Sequence, residues 1–326
     1  MNQLFRWDQM GLFLLALAAG ILPFAVPEVC AAALQEGLTL CSGPLLLSLF
    51  PFLVVSRLLI QGPESDLLAL PFRLAAWGIG IRTPCAARVL CIGFLGGFAP
   101  AASAAAQAVR TGQLTAEEAD ALLPACICSG PSFVVLTVGQ SLLGSAELGV
   151  LLFASQITAN YLTAALLNRF AGVRSVKPGS AAPASPAPPR LDEILADAAI
   201  TYCKLCGFIL FFRMLAAGAG ALLPAGAGTL CAVLLEVCSG CDLASRTGRW
   251  GSLLCCAALS VQGLSVLLQV RTICPPEMTL RPLYQARMLH LPLSLALFYL
   301  LLPGGEADVF STLPCLLYTS DAADEE

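Results

Sequence analysis

Glu236 is the residue in this chain whose placement most demands a chemical reason. It lies inside an apolar run, Leu230 to Cys238. An acid held near the middle of a bilayer costs about 2.5–3.5 kcal/mol on insertion scales, so it must face a cavity or a partner. Arg213, central in its own apolar stretch, is the expected counter-charge, with Lys204 nearer one end. Contact with a substrate or coupling ion and a structural ion pair are both open readings of Glu236. Gln262 and Gln269, seven residues apart, share one helical face, and Gln156 with Asn160 form a similar polar stripe. Such amides either bond a ligand or tie helices together.

Broken backbone supplies the second kind of chemistry. Gly97 with Pro100, then Ser129-Gly130-Pro131-Ser132, then Ser239-Gly240 interrupt apolar stretches. Unpaired N–H and C=O groups in hydrocarbon cost several kcal/mol each, so such breaks persist where protein buries them or where they line a wet cavity. Each break starts a new half-helix, whose free N–H donors and positive dipole end suit a carboxylate or another polar, planar solute. Pro131 suits the first helical position after Ser129 or Gly130, and Asp242 is expected to cap a half-helix after Gly240. The expected binding set is therefore Gly97, Ser129, Gly130, Ser132, Arg213, Glu236, Ser239, Gly240, Gln262 and Gln269. Close packing through small residues is the competing reading of each break.

Other chemistries are poorly supplied. The single histidine, His290, lies near Pro292 with no acidic neighbour and is expected at a membrane interface; no Ser-Lys, Ser-His or Cys-His arrangement suggests an enzyme. The pairs Cys203/Cys206 and Cys238/Cys241 have the spacing of zinc ligands but sit in hydrophobic segments. Most of the 15 cysteines read as small packing residues, and no metal or cofactor is expected.

The elements that must position these residues follow from composition. The 326 residues are 58% hydrophobic and 12% charged, with two lysines and a mean hydropathy of +0.82. Soluble domains carry about 25% charged residues. Half that proportion, with several apolar runs near the length of a membrane helix, implies an all-α polytopic membrane protein whose main partner is the lipid bilayer. A soluble enzyme and a nucleic-acid binder are excluded. The net charge of −4 arises from Asp321, Asp324, Glu325 and Glu326 at the C-terminus, so the rest of the chain offers no bulk field to a partner.

Along the chain, Gly11 to Val26 reads as a first span and Leu45 to Ile60 as a second apolar run. Residues Asp66 to Arg82, punctuated by Arg73 and Trp77, suit the interface. Cys85 to Val109 is expected to form a hairpin or a discontinuous helix, because two adjacent glycines and a proline interrupt it. Thr115 and Glu118 form a capping box for the next helix, and Leu148 to Phe170 is a clean span. The segment 172–190, VRSVKPGSAAPASPAPPR at its core, is a Pro/Ala-rich linker with Arg169, Arg174, Lys177 and Arg190 around it, placed in the cytoplasm by the positive-inside rule. The second half, 191–314, repeats the plan of the first, 1–171: clean spans, Ala199 to Leu223 among them, mixed with broken runs, as in transporters built from internal repeats. Cys315 to Glu326 resembles a translated sequencing adapter, so the natural chain is expected to continue past Pro314 differently.

Five motifs in order give a family resemblance. Gly97-Phe98-Ala99-Pro100-Ala101-Ala102 loosely matches G-Y-P-x-G-A. Gly112-Gln113-Leu114-Thr115-Ala116-Glu117-Glu118-Ala119 matches G-x-h-T-x-x-E-A, with h apolar. Ser129-Gly130-Pro131-Ser132-Phe133 partly matches S-N-P-L-F. Leu235 to Gly240 carries L-E-x-x-x-G, and Gly263 to Gln269 carries G-L-S-V-x-x-Q. On these the chain resembles the YlbJ/SpoVV family of sporulation integral membrane proteins, with gate (nucleoside-recognition) repeats similar in outline to concentrative nucleoside transporters. The resemblance implies two gate-type repeats with re-entrant helices, a place in the outer forespore membrane, and movement of dipicolinic acid, a small planar dianion, by alternating access. A nucleoside-type transporter and a non-transporting scaffold for spore-envelope assembly are the alternatives. The asparagine of the third motif is Gly130 here, which removes an amide from the expected site. The oligomeric state is left open.

Overall fold

The computed structural model describes residues 2–61, 65–172 and 190–302. The core of the linker and the C-terminal tail singled out from the sequence lie outside the described residues. Within them the chain is helical, and no strand occurs. Four stretches are long and apolar enough to cross a bilayer: Pro27–Leu47, Ala146–Ala171, Leu191–Leu222 and Gly248–Ile273. The protein is thus an all-α membrane protein with several membrane helices.

The N-terminal part comprises α1 (Asn2–Ala25), α2 (Pro27–Ser42) and α3 (Pro44–Gln61), broken at prolines. Helix α2, which sequence periodicity did not single out, packs along α10 (Leu191–Leu222) so closely that a Cβ at Gly37 would stand 2.8 Å from Leu210. Short helices α4 (Ser65–Leu68) and α5 (Leu70–Gly78) follow. They leave Leu67, Leu74 and Trp77 exposed, as an interfacial segment should.

Two helical hairpins dip into the bundle from opposite ends. The first is α6 (Pro84–Gly96) and α7 (Phe98–Arg110), packed against each other and joined at Gly97. Both outer ends lie at the end of the bundle that carries the linker. There Thr83 donates to Glu118 at 2.5 Å, Arg88 to Gln113 at 3.0 Å, and Arg110 to the Ile273 carbonyl at 3.4 Å. Asn168, near the end of α9 (Ala146–Ala171), donates to the Ile79 and Ala121 carbonyls. Helix α7 is almost entirely alanine along its buried length. That makes it thin enough to sit inside the protein with no face toward lipid.

The second hairpin is α11 (Ala225–Leu235) and α12 (Val237–Ser245), joined at Glu236. It begins directly after α10, whose 32 residues extend about 48 Å at 1.5 Å per residue and so carry the chain to the far end. A 3₁₀ turn, Gly248–Trp250, then leads into α13 (Gly251–Val261). Trp250 and Leu253 share a cleft there with Leu295 and Tyr299, near the end of α15 (Arg281–Leu301).

Beside each hairpin runs an interrupted crossing helix. One is α8 (Ala116–Cys126), a break at residues 127–130, and, after Pro131 in helical conformation, a widened π-type helix, π1 (Ser132–Leu142). The Thr115/Glu118 capping box opens it as expected, with Glu118 N–H to Thr115 Oγ1 at 3.1 Å and the reciprocal bond at 3.2 Å. The other is α13, a break at Gln262, and α14 (Gly263–Ile273). The break sets Gln262 outside the helix that carries Gln269, so the two do not share one helical face as their spacing suggests. Helices α9 and α15 pack against each other and complete the bundle.

Candidate functional site

The tips of the two hairpins meet where both crossing helices break. At the first tip Gly97 has φ +81° and ψ −163°, a conformation essentially confined to glycine. A Cβ there would stand 2.6 Å from the Gly130 nitrogen. At the second tip, a Cβ on Gly263 would lie 3.0 Å from the Glu236 nitrogen and from the Leu235 carbonyl. Each tip is therefore in backbone contact with the break beside it, an approach that only the absence of side chains permits.

Glu236 has a definite job at its tip. Its Oε1 accepts from the Cys238 N–H at 2.9 Å, and its Oε2 accepts from the Ser239 N–H at 2.7 Å and the Ser239 hydroxyl at 3.0 Å. The carboxylate is the N-cap of α12, so charge-assisted bonds and the helix dipole offset the cost of burying an acid that is 1% exposed. This corrects two expectations. The half-helix begins at Val237, not after Gly240, and Asp242 lies within it, paired with Arg246 at 2.9 Å. Gly240 lies inside α12 and lets it touch α11: a Cβ there would sit 2.9 Å from the Val233 Cα.

Arg213 is not the counter-charge of Glu236. It pairs at 2.6 Å with Glu36 of α2, a partner the sequence reading did not weigh, and its own side chain is nine-tenths buried. The pair ties α2 to α10.

A cavity of about 40 Å³ lies between the tips, lined by Gly96 and Phe98, by Ser129, Gly130, Ser132 and Phe133, by Glu236 with Val237 and Cys238, by Val266 and Gln269 of α14, and by Leu45, Leu49 and Ile209 from α3 and α10. At about 10–15 Å³ per water on this measure, it admits roughly three waters. Of the expected set, Ser129, Gly130, Ser132, Glu236 and Gln269 line it, and Gly97 lies in sequence between the lining residues Gly96 and Phe98. Ser239 and Gly240 belong to α12 behind Glu236. Gln262 stands off the cavity in the left-handed conformation, φ +66°, with its amide nitrogen on the Leu259 carbonyl at 2.8 Å. Gln269 donates to Ser265 Oγ at 2.9 Å, and its Oε1, like that of Gln262, is buried without a partner. Phe98, Phe133 and Val266 are lining residues that sequence reading missed, because apolar residues in apolar runs carry no signal.

The Gln156/Asn160 stripe ties helices together. Gln156 donates to the Cys256 carbonyl at 3.2 Å and to Ser260 at 3.0 Å; Asn160 donates to the Ile127 carbonyl in the first break at 3.4 Å. Ser260 also bonds Ser294. His290, expected at the interface, is instead 1% exposed inside this network, with Nε2 bonded to the Gln156 carbonyl at 3.1 Å.

Comparison with protein-family models, with curated proteins and with solved structures gives no match to this chain. The YlbJ/SpoVV resemblance rests on the five sequence motifs.

Proposed function

We propose that the protein is a membrane transporter that binds a small, planar, carboxylate-bearing solute between the hairpin tips and moves it by alternating access. Dipicolinate is the specific solute suggested by the resemblance to the YlbJ/SpoVV family. The observation that carries the reading is that two re-entrant hairpins, entering from opposite ends, touch two helix breaks around one cavity. Interrupted backbone within a membrane is tolerated where it lines such a space, and paired discontinuous elements are the usual construction of a midplane transport site.

The half-helix starts at Phe98, Ser132 and Gly263 bring N–H donors and positive dipole ends to the tips; that of α12 is already occupied by Glu236. At the linker end, a cleft of about 200 Å³ lined by Arg110, Lys204, Thr201, Ser103 and Asp197 gives an anion a partly basic approach. With room for only a few waters, the cavity corresponds to a closed state, and a ring-sized solute requires the tips to part. Motion of one hairpin against the crossing helices would open it to one side at a time.

One observation favours a second solute class. Among the described residues no cation lines the cavity, whereas Glu236 and Gln269 do, beside Phe98 and Phe133. Those groups suit a neutral ring bearing N–H and O–H donors, such as a nucleoside. Reconstituted liposomes separate the two. Saturable uptake of labelled dipicolinate, abolished by Gly130→Leu and unaffected by excess nucleoside, is the expected result. Uptake of nucleosides instead would move the protein to the second class, and uptake of neither would leave a structural scaffold.

A further inference from the structure

Arg287 is a buried cation without an acid. It lies on α15, is 7% exposed, and forms no ion pair among the described residues. Its guanidinium donates to Asn160 Oδ1 at 3.1 Å and weakly to the Ser260 carbonyl at 3.4 Å, both neutral groups, and its Nε has no partner. An uncompensated charge in a protein interior costs several kcal/mol, and neutral hydrogen bonds offset only part of that cost. Arg213, likewise buried, has its carboxylate in Glu36. Among the described residues nothing comparable pairs with Arg287.

Two further orphaned polar atoms belong to the same pair of helices. His290 follows Arg287 by three residues, hence on the same face of α15, and its Nδ1 has no partner. Thr163 follows Asn160, the residue bonded to Arg287, by three residues on α9, and its hydroxyl has no partner either. Both residues are about 1% exposed. Helices α9 and α15 pack directly on each other. Three of the unsatisfied buried side-chain atoms among the described residues therefore belong to one helix–helix contact, together with an unpaired positive charge. Buried polar groups are almost always satisfied, by protein, water or ion, so such a concentration of exceptions needs partners from outside the chain.

From this we infer that Arg287, Thr163 and His290 form an anion-binding site, distinct from the cavity between the tips, that takes a small carboxylate or chloride. Arg287 supplies the charge and an Nε–H donor, and Thr163 supplies a hydroxyl donor. His290, whose Nε2 is directed at the Gln156 carbonyl and therefore carries the proton, presents Nδ1 as an acceptor. The occupant of that face bears a hydrogen: the proton of a half-protonated dicarboxylate, or a water accompanying chloride. The site reaches the first break through Asn160, which accepts from Arg287 and donates to the Ile127 carbonyl. Occupancy thus bears on the segment that holds Ser129 and Gly130. In this form the inference rests on the carboxylate reading of the transporter.

The test is thermal unfolding of the purified full chain in detergent, followed by tryptophan fluorescence, with chloride, acetate and dipicolinate titrated separately at constant ionic strength against gluconate. Wild type is expected to show a saturable rise in Tm with at least one of the three. Arg287→Met is expected to lose that rise, Arg213→Gln to keep it, and Thr163→Val to weaken the apparent affinity about tenfold, as loss of one hydrogen bond to a charged group does. No saturable effect in wild type means that the orphaned atoms hold water only and overturns the inference, as does an effect that survives in Arg287→Met. Should Arg287→Met fail to fold, Arg287→Lys and Thr163→Val decide: unchanged affinity in both overturns the site. Saturable acetate or chloride binding without dipicolinate uptake in liposomes leaves the site standing and removes the transport reading. Uptake with no anion effect on Tm does the reverse.

Discussion

The two tip-and-break pairs solve one packing problem with different chemistry. At the first, Gly97 meets Gly130, and nothing but backbone fills the contact. At the second, Glu236 meets Gly263, and a carboxylate with three accepted hydrogen bonds holds the tip closed on its own half-helix. The first tip depends on the absence of a side chain, the second on the presence of one. A turn at the end of a re-entrant hairpin needs its free N–H groups satisfied; the second does so internally, whereas the first leaves the donors of α7 and π1 for whatever enters the cavity. Under the transport reading, the first pair is where solute binds and the second is the fixed wall.

Substitutions can break this contrast. The largest effect is expected from Gly97→Ala, which combines a glycine-only conformation with a backbone clash, for a loss of about 3–5 kcal/mol in unfolding free energy. Denaturant unfolding in mixed micelles measures it, and uptake should vanish with it. Next is Glu236→Ala, which strips the cap and leaves the Cys238 and Ser239 N–H groups unsatisfied, at about 2–4 kcal/mol. Amide exchange at 237–240 should accelerate while exchange at 98–101 stays as in wild type. Gly263→Ala, with a positive φ but a looser contact, should cost about 1–2 kcal/mol. Gln262→Gly is expected to change stability by less than about 0.5 kcal/mol, because relief of the left-handed backbone offsets the lost bond to Leu259. A Gly263→Ala protein as damaged as Gly97→Ala would remove the distinction between the pairs.

The sequence displayed the first pair better than the second, for a physical reason. Gly97, Ser129, Gly130 and Pro131 break an apolar run with the residues that most disfavour helix, so both interruptions were legible. The second pair is broken by Glu236 and Gln262, which have ordinary helix propensity. Their signal was polarity, which located Glu236 as a site while the break itself was assigned to Ser239-Gly240, three residues late. An N-cap is recognised by the side chain that precedes the helix, and glutamate is not among the residues commonly found there. Pairing partners were less legible still. Arg213 found Glu36 through the packing of α2 on α10, a contact between segments some 177 positions apart that no local pattern encodes. His290 lies deep in the bundle because α15 packs on α9, and the Pro292 beside it, which suggested an interface, lies within the helix.

Under the transport reading the hairpin tips enclose a water-accessible solute site, and Cys238, which lines the cavity, reports on it in the native chain. Vesicles containing the protein would be treated with a small charged methanethiosulfonate, and modified cysteines read by mass spectrometry. Cys238 is expected to react and dipicolinate to slow it, while Cys126 and Cys255, packed in the core, stay unmodified. Reaction of Cys238 only with a lipid-soluble reagent, with no protection by solute, would contradict that reading.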